Sequence, residues 1–344
     1  MDFQQLEETA RAIVAEGKGI LAADESDSTI KKRFDSISVE STEENRRAYR
    51  DLLFTTEGAE DYISGVILFD ETIRQSSADG TPFPQLLASR GIIPGIKVDK
   101  GAKPLALAEG ETVTEGLDGL RDRLEEYRGL GARFAKWRAV ISIGRNIPSE
   151  YCIWANAHAL ARYAALSQEA GLVPIVEPEV LMDGDHTIER SFEVTSRTLH
   201  AVFTELRDQR VHPEGILLKP NMVLSGYDSP EQASHDEVAA QTIRCFKRHV
   251  PAAVPGVVFL SGGQSDEDAT ANLNAMNALG EGDHPWQLSF SYGRALQAAA
   301  LKAWLGKEEN VEAAQRAYYH RAKMNSAARS GMWAPELERE GVTV

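Results

Sequence analysis

A lysine at the end of an apolar run is the first feature of this sequence that could do chemistry. Lys219 follows three aliphatic residues and precedes Pro220. It is therefore predicted to close a buried strand that cannot continue, because proline has no amide hydrogen for the sheet. Burial and a neighbouring cation both favour the neutral form of an amine, which is then a nucleophile near neutral pH. The alternative is a strand-end lysine whose ammonium group reaches solvent.

Other apolar runs in the chain also end in charged residues. In a β/α barrel the carboxyl ends of the strands converge on one face, and side chains two apart in a strand point the same way, so the charges are predicted to surround one cavity. Buried ionic groups are costly unless they are well paired, and stability alone is therefore a poor explanation of the pattern. The residues concerned are Asp24, Lys97, Lys136, Arg138, Glu177, Glu179 and Lys219.

Each of these residues also has a purely structural alternative. Asp24 could cap a helix, and Lys97 could face solvent. Arg138 could simply pair with Glu179. The candidate catalytic residues are Lys219, Glu177, Lys136, Asp24 and Glu179.

Two further strand ends carry small and cationic residues suited to binding an anion. Glycines let backbone N–H groups approach a phosphate closely, serine adds a hydroxyl, and arginine at a helix start adds a planar charged donor. The alternative is ordinary turn glycines. We expect Lys97 and Arg138 to hold a second phosphate opposite the first. The two segments are Ser261-Gly262-Gly263 and Ser291-Tyr292-Gly293-Arg294.

The histidines give no sign of a metal site. Among eight histidines only His186 comes directly after a predicted strand, and it is expected to start a helix. We therefore predict no metal and no cofactor. A lysine amine that condenses with a ketone gives an iminium, which draws electrons from the adjacent bond as a metal ion would. Lys219 is best placed for this role, with Lys136 as the cation that favours its neutral form.

The strands that carry these residues alternate with helices along the chain. A capping box at Ser41-Thr42-Glu43-Glu44 opens one helix, predicted to run to about Gly58. Eight strand–helix units in series predict an α/β fold, an eightfold β/α (TIM) barrel. A doubly wound sheet would need a Gly-x-Gly-x-x-Gly motif, which Gly262 and Gly263 do not form. The predicted strands lie in 20–24, 64–70, 92–99, 133–140, 173–179, 215–220, 256–263 and 287–294, and further helices in 149–170, 185–208, 230–249, 265–279 and 295–305.

Composition narrows the class of protein and its partners. The chain has 344 residues, of which 42% are hydrophobic, and no linker-like stretch divides it. A single domain over 1–344 with N- and C-terminal helical extensions is therefore predicted, with a mobile tail over about 331–344. The formal net charge of −15 disfavours a nucleic-acid partner and leaves no polybasic patch for a membrane.

The termini and the cysteines predict a soluble cytoplasmic protein. The acidic N-terminus lacks the pattern of a secretory signal, and no apolar run is long enough to span a bilayer. Cys152 and Cys245 are far apart in the sequence and lack metal-ligand spacing. They are predicted to be packing residues in a reducing compartment.

The same strand ends resemble the class I fructose-1,6-bisphosphate aldolases, the Schiff-base enzymes of glycolysis and gluconeogenesis. The resemblance runs in order, without large gaps, from about Gly19 to Lys323. It rests on Gly19-Ile20-Leu21-Ala22-Ala23-Asp24-Glu25-Ser26, Gly95-Ile96-Lys97-Val98-Asp99-Lys100-Gly101, Phe134-Ala135-Lys136-Trp137-Arg138, Pro174-Ile175-Val176-Glu177-Pro178-Glu179, Leu217-Leu218-Lys219-Pro220-Asn221-Met222, Phe259-Leu260-Ser261-Gly262-Gly263-Gln264-Ser265 and Phe290-Ser291-Tyr292-Gly293-Arg294-Ala295-Leu296-Gln297.

The resemblance implies reversible, metal-independent cleavage of fructose 1,6-bisphosphate to dihydroxyacetone phosphate and glyceraldehyde 3-phosphate. It implies Lys219 as the Schiff-base lysine and Glu177 as the main general acid and base. Lys136 and Asp24 are implied to support proton transfer at the C4 hydroxyl. A homotetramer is usual in the family. The C1 phosphate is implied to lie at Ser261, Gly262, Gly293 and Arg294, and the C6 phosphate towards Lys97 and Arg138, with Arg33 or Ser26 nearby.

The sequence departs from the family pattern in two places. Animal members end in a tyrosine that assists proton exchange on the enamine, whereas this chain ends Arg339-Glu340-Gly341-Val342-Thr343-Val344 and leaves that role unfilled. Asp27-Ser28-Thr29 stands where many relatives have a glycine before the hydroxyl residue, in the loop implied for the 6-phosphate.

Two other functions use the same motifs less completely. One is a Schiff-base aldolase that acts on another phosphosugar, as a transaldolase or a deoxyribose-phosphate aldolase does. The other is a phosphate-binding scaffold protein that has lost the chemistry. The two predicted phosphate clusters argue against the first, and the intact set of catalytic candidates argues against the second.

Overall fold

Parallel strands form a closed barrel at the centre of the molecule. The computed structural model describes residues 2–279 and 284–339, and within these residues eight barrel strands and one small hairpin are found. The hairpin strands, β4 and β5, lie between the third and fourth barrel strands. The strands are β1 (Gly19–Ala23), β2 (Ile63–Leu68), β3 (Ile93–Lys97), β4 (Ala102–Pro104), β5 (Thr112–Thr114), β6 (Phe134–Ile141), β7 (Val173–Val180), β8 (Leu217–Leu218), β9 (Gly256–Phe259) and β10 (Gln287–Tyr292).

Each barrel strand pairs in parallel with the next one along the chain, and β10 pairs with β1 to close the ring. At the closing seam, Ile20 lies opposite Ser291 on one side and opposite Gly65 on the other. The predicted eightfold β/α barrel is thereby confirmed. Because all eight strands point the same way, their carboxyl ends meet at one rim.

The helices lie outside the barrel, with α1 at one end of it. Most of them match helices or helical extensions that were predicted from the sequence. They are α1 (Phe3–Ile13), α2 (Asp27–Asp35), α3 (Glu43–Phe54), α4 (Asp70–Ile73), α5 (Phe83–Ser89), α6 (Leu120–Gly129), α7 (Glu150–Glu169), α8 (Ile188–Asp208), α9 (His235–His249), α10 (Asp266–Ala278), α11 (Arg294–Trp304) and α12 (Val311–Arg329).

Several predicted helix boundaries are wrong by a few residues, and capping explains two of them. Helix α8 begins after Thr187 and α9 after Ser234, because each hydroxyl accepts a hydrogen bond from the amide three residues later. The predicted starts at residues 185 and 230 were therefore too early. Helix α3 is capped by Thr42 and ends at Phe54, four residues short of the glycine that was expected to stop it.

Four helices and the hairpin were not predicted: α2, α4, α5, α6 and the pair of β4 and β5. Helix α2 begins directly after Ser26, where only a loop was expected. Its buried residues Ile30 and Phe34 stand four apart and so share one face of the helix. This helix brings the segment that follows β1 back across the rim of the barrel.

Apolar side chains fill the lower half of the barrel interior. Ile20, Ile67, Ile175 and Leu217 form one cluster there with Phe134 and with residues of α1, which covers the amino end of the barrel. Phe134 requires a glycine opposite it, since a Cβ on Gly95 would lie 2.2 Å from its ring. Above this packed lower half the barrel interior is open at the carboxyl rim.

The last described residues pack against α12. Glu338, in the turn Pro335–Arg339, accepts hydrogen bonds from His320, Arg321 and the indole N–H of Trp333. Residues 340–344, which include part of the predicted mobile tail, lie outside the described residues. The mobility of the tail therefore stays a prediction.

Both cysteines are buried and free. Burial raises the pKa of each thiol to about 11. Their positions agree with the predicted packing role. Among the described helices, none is long and apolar enough to cross a membrane.

Candidate active site

A cavity of about 610 Å³ opens at the carboxyl rim of the barrel. Alternation along each strand determines which side chains reach it. On β6, Lys136 and Arg138 face the cavity, whereas Trp137 between them is buried on the opposite side. On β7, Glu177 and Glu179 face the cavity in the same way. All five candidate catalytic residues line this one cavity. The other candidates that line it are Ser26, Arg33, Lys97, Arg138, Ser261, Gly262, Ser291, Gly293 and Arg294.

Four charged side chains form a chain of contacts at the centre of the cavity. Lys136 Nζ lies 2.6 Å from Asp24 Oδ2 and 3.2 Å from Glu177 Oε2. The other oxygen of Glu177 lies 3.2 Å from Lys219 Nζ. The Glu177 carboxylate therefore bridges two buried lysines that come from different strand ends.

The contacts shift the pKa values of two of these groups. Burial alone would raise the pKa of Asp24, but the positive charges of Lys136, Lys219 and Lys97 outweigh it and hold the pKa well below its usual range. Burial alone would likewise lower the pKa of Lys136, yet the carboxylates of Asp24 and Glu177 raise it. The Asp24–Lys136 pair is consequently charged at neutral pH.

Lys219 owes its position to the local backbone. Its amide donates to the carbonyl of Val176 at 2.8 Å, which continues the ladder beyond β8. The carbonyl of Pro220 then accepts from the amide of Leu260 at 3.1 Å. The proline ends the regular strand as predicted, and the lysine stays fixed within the barrel wall.

Two further ion pairs lie above this centre. Arg138 pairs with Glu179, which was the structural alternative for both residues, although both still line the cavity. Lys97 pairs with Asp99 at 2.8 Å and does not extend into solvent. Burial would lower the pKa of Arg138, but the neighbouring Glu179 carboxylate raises it. A catalytic role for Glu179 stays a prediction.

The ends of β9 and β10 form the opposite side of the cavity. Gly262 has a φ of +65°, and a Cβ there would lie 2.5 Å from Met182 Sδ, so only glycine fits. Ser291 Oγ is buried without a hydrogen-bond partner among the described residues. Gly293 precedes α11 and Arg294 opens it, so the helix amino end and a guanidinium lie together beside the cavity.

Two predicted binding residues lie outside the cavity. Tyr292 is fully buried and points away from it, because it alternates with Ser291 and Gly293 along β10, and its hydroxyl donates to the carbonyl of Ala269. Gly263 does not line the cavity either. A Cβ on it would lie 2.9 Å from Arg294 Nη2, so its contribution is to make room for that arginine.

The structure also adds residues that the sequence did not single out. Asp99 pairs with Lys97 and accepts a hydrogen bond from the amide of Arg138. Glu25 is buried beside Asp24 and pairs with two arginines. Both are acidic residues next to a predicted strand end, and on that basis the sequence could have identified them as candidate site residues. Thr29 and Lys32 of α2 and Ser36, directly after it, line the cavity as well.

No group of histidine, cysteine, aspartate and glutamate side chains in residues 2–279 and 284–339 has the arrangement of a metal site. His186 lies just before the cap of α8, close to the predicted helix start. Burial lowers the pKa of its imidazole.

Comparison with known proteins agrees with this geometry. The family model described as fructose-bisphosphate aldolase class-I matches residues 5–343. The chain belongs to the class I fructose-bisphosphate aldolase family. This aldolase is 63% identical to the probable fructose-bisphosphate aldolase class 1 of Xanthomonas campestris pv. campestris, over 97% of this chain and 99% of that one.

Two further relatives of this aldolase come from eukaryotes. It is 60% identical to fructose-bisphosphate aldolase 4, cytosolic, of Arabidopsis thaliana, over 92% of this chain and 80% of that one. A solved aldolase of Plasmodium falciparum, in complex with TRAP and a small-molecule inhibitor, has a TM-score of 0.94 and 52% identity, over 96% and 95% of the two chains. The predicted family and enzyme class are thus confirmed: this aldolase is a metal-independent carbon–carbon lyase.

Proposed function

We propose that Lys219 forms the Schiff base through which this enzyme cleaves fructose 1,6-bisphosphate reversibly to dihydroxyacetone phosphate and glyceraldehyde 3-phosphate. The bridging position of Glu177 is the observation that carries the proposal. Its carboxylate lies 3.2 Å from the amine of Lys219 and 3.2 Å from that of Lys136. An acid–base group within this reach can move protons to and from a reacting amine.

In the first half of the reaction the neutral Lys219 amine attacks the C2 carbonyl of the open-chain sugar. A proton then passes from the nitrogen to the oxygen, and the carbinolamine loses water to give an iminium. Glu177 is the group that transfers these protons, since it is the carboxylate in contact with Lys219 Nζ. A buried amine and a buried carboxylate keep these transfers away from bulk solvent.

In the second half the C3–C4 bond breaks. The C4 hydroxyl gives its proton to the Glu177 carboxylate, which is free again once water has left, glyceraldehyde 3-phosphate departs, and the bond electrons move to the iminium to form an enamine. Asp24 and Lys136 are placed to hold the C4 hydroxyl and support its deprotonation. Because the pKa of Asp24 is held low, it acts as a fixed negative charge that orients Lys136 and the substrate.

The two phosphates of the substrate are assigned to opposite sides of the cavity. Ser261, Gly262, Gly293 and Arg294 supply hydroxyl, backbone and guanidinium donors on one side, for the C1 phosphate. Lys97 and Arg138 lie on the other, with Ser26 at the start of α2. Family likeness associates Arg33, in the last turn of α2, with the same side. The substrate and products are therefore sugar and triose phosphates. By family likeness we further propose a homotetramer in the cytoplasm that consists of single-domain subunits.

Borohydride trapping tests the chemistry directly. Reduction in the presence of dihydroxyacetone phosphate is expected to add a three-carbon phosphate to Lys219, located by peptide mass spectrometry. Lys219→Met is expected to abolish both the adduct and cleavage. Lys97→Met is the matched control, because it removes another cavity lysine and leaves Lys219 available. An adduct on a different lysine, full activity in Lys219→Met, or loss of wild-type activity in a chelator would contradict the proposal.

A further inference from the structure

A buried carboxylate next to Asp24 links three helices to the cavity. Glu25 Oε1 lies 2.6 Å from Arg33 Nη1 of α2, and Oε2 lies 2.6 Å from Arg50 Nη2 of α3. The side-chain amide of Gln297, on α11, donates to Glu25 Oε1 at 3.0 Å and to the carbonyl of Ala22 at 2.8 Å. These four side chains, Glu25, Arg33, Arg50 and Gln297, are called the Glu25 cluster below.

The members of the cluster are not equally constrained. The side chains of Glu25 and Arg50 are only 4% and 3% exposed, whereas that of Arg33 is 21% exposed and lines the cavity. Arg50 and Gln297 therefore fix the Glu25 carboxylate. The carboxylate in turn holds one end of the Arg33 guanidinium, which would otherwise be free to swing on a long side chain with many rotamers.

The held guanidinium lies next to the end of β10. Arg33 Nη2 is 3.7 Å from the position that a Cβ would occupy on Gly293. Gly293 and Arg294 belong to the side of the cavity assigned to the C1 phosphate. Arg33 had been associated with the C6 phosphate by family resemblance, but its observed neighbour is on the other side.

We infer that Glu25 is a positioning residue that orients Arg33 towards the C1 phosphate, opposite Arg294. The inference rests on the proposed function, which places that phosphate at Gly293 and Arg294. Two arginines on either side of one phosphate give paired charge-assisted hydrogen bonds, and such bonds depend strongly on the direction of the guanidinium. Glu25 does not need to touch the substrate to have this effect.

Kinetics of Glu25→Gln with two substrates test the inference. The KM is expected to rise about tenfold, as for loss of one hydrogen bond to a charged group, with little change in kcat. The rise should be equal for fructose 1,6-bisphosphate and fructose 1-phosphate, because both carry the C1 phosphate. A rise for the bisphosphate alone would overturn the inference, since Arg33 would then serve the C6 phosphate.

A double variant separates positioning from general damage. If Glu25 acts through Arg33, Glu25→Gln combined with Arg33→Met should raise KM no further than Arg33→Met alone. If the increases in KM caused by Glu25→Gln and Arg33→Met instead multiply in the double variant, the inference is overturned. Glu71→Gln is the matched control, because it breaks another arginine–carboxylate pair of α3, Arg46–Glu71 at 2.6 Å, outside the cavity.

Two further variants keep the test decisive. If Glu25→Gln fails to fold because Arg50 loses its buried counterion, Glu25→Gln with Arg50→Gln restores the charge balance and should show the same rise in KM. Arg294→Ala reports on the phosphate assignment itself. If Arg294→Ala raises KM and the Glu25 variants do not, the positioning inference alone fails. If Arg294→Ala has no effect either, the phosphate assignment fails with it.

Discussion

At the scale of single residues, the centre of the site is defined by charge compensation. Asp24, Lys136, Glu177 and Lys219 alternate in sign and touch in series. Removing one member of a buried ionic group leaves its neighbour uncompensated, which is strongly destabilising. The four residues therefore act as one unit, and a substitution at any of them affects the others.

Asp24→Asn tests the proposed role of Asp24 as a fixed charge. Its pKa lies below the usual value for aspartate, so the carboxylate is ionised at every pH above about 4. The substitution is expected to lower kcat about 100-fold, in the range of the loss of one fixed electrostatic group at a reacting centre. The factor should be the same across the neutral range, because Asp24 does not titrate there.

The measurement is a pH–rate profile of Asp24→Asn beside wild type. A shift of the acidic limb in the variant would mean that Asp24 titrates during turnover, against the proposed role. Asp70→Asn is a suitable control. Asp70 also follows a barrel strand, but it pairs with Arg74 at 2.9 Å and does not line the active-site cavity.

At the scale of elements, strand alternation decides which predicted residues reach the site. The types and spacing of charges were enough to bring Lys136, Arg138, Glu177 and Glu179 to one cavity. The same alternation places Tyr292 outside the cavity. Tyr292 was wrongly predicted to bind substrate because all four residues of 291–294 were assigned together, although alternation along the strand already excluded it. Helix starts were predicted less well, because a capping hydroxyl can lie several residues after the first plausible one.

The Glu25 cluster shows what the sequence could not supply. Glu25 and Arg50 are 25 positions apart, and Gln297 lies near the other end of the chain. Their contact depends on how α3 and α11 pack against the end of β1, which no local pattern specifies. For the same reason Arg33 could be named as a binding residue from the sequence, but its neighbour Gly293 could not.

Glu338 gives a prediction for α12 and the turn that packs on it. Burial would raise the pKa of Glu338, but hydrogen bonds from His320 and Arg321 lower it to about 2, from an ordinary 4.5. Its contribution to stability is therefore fully present above pH 4.5 and is lost as the pH falls towards 2. Glu338→Gln should lower the free energy of unfolding by about 2 kcal/mol at pH 7, as for hydrogen bonds to charged groups.

Urea unfolding at several pH values measures this difference. The difference in the free energy of unfolding between wild type and Glu338→Gln should decrease as the pH is lowered below 4.5. If this difference in free energy stays constant until the protein unfolds in acid, the charge of the carboxylate is not what holds the turn against α12. Glu336→Gln, an exposed position in the same turn, should behave as wild type.

At the scale of the whole molecule, one arginine joins the first and last parts of the barrel. Arg329, near the end of α12, is 6% exposed. It donates to the carbonyls of Val14, Ala15 and Lys18 before β1, and to Leu288 at the start of β10. It also donates to the side-chain oxygen of Gln287, and it thus spans the seam where the barrel closes.

Arg329→Met is expected to destabilise the entire barrel. It leaves several buried carbonyls without a donor and should lower the free energy of unfolding by about 3 kcal/mol. If the chain is a single domain, thermal unfolding monitored by circular dichroism and by loss of activity should remain one coincident transition at a lower temperature. Arg316→Met, an exposed position on the same helix, is the control and should leave the transition unchanged.

Separate transitions in Arg329→Met would contradict the single-domain proposal. Retained stability would instead show that the seam holds without the arginine. Activity at low temperature should be preserved in either case, because Arg329 lies at the amino end of the barrel and the cavity is at the carboxyl end.

The bridging position of Glu177 has a consequence for the order of events in turnover. One carboxylate with two amine neighbours can exchange a proton with only one of them at a time. Under the proposed roles, Schiff-base formation at Lys219 and cleavage of the C3–C4 bond must therefore use Glu177 one after the other. The order is fixed because β7 holds Glu177 between the two lysines. By microscopic reversibility, the reverse reaction passes through the same proton transfers in the opposite order. The same four side chains therefore serve synthesis of the hexose as well as its breakdown.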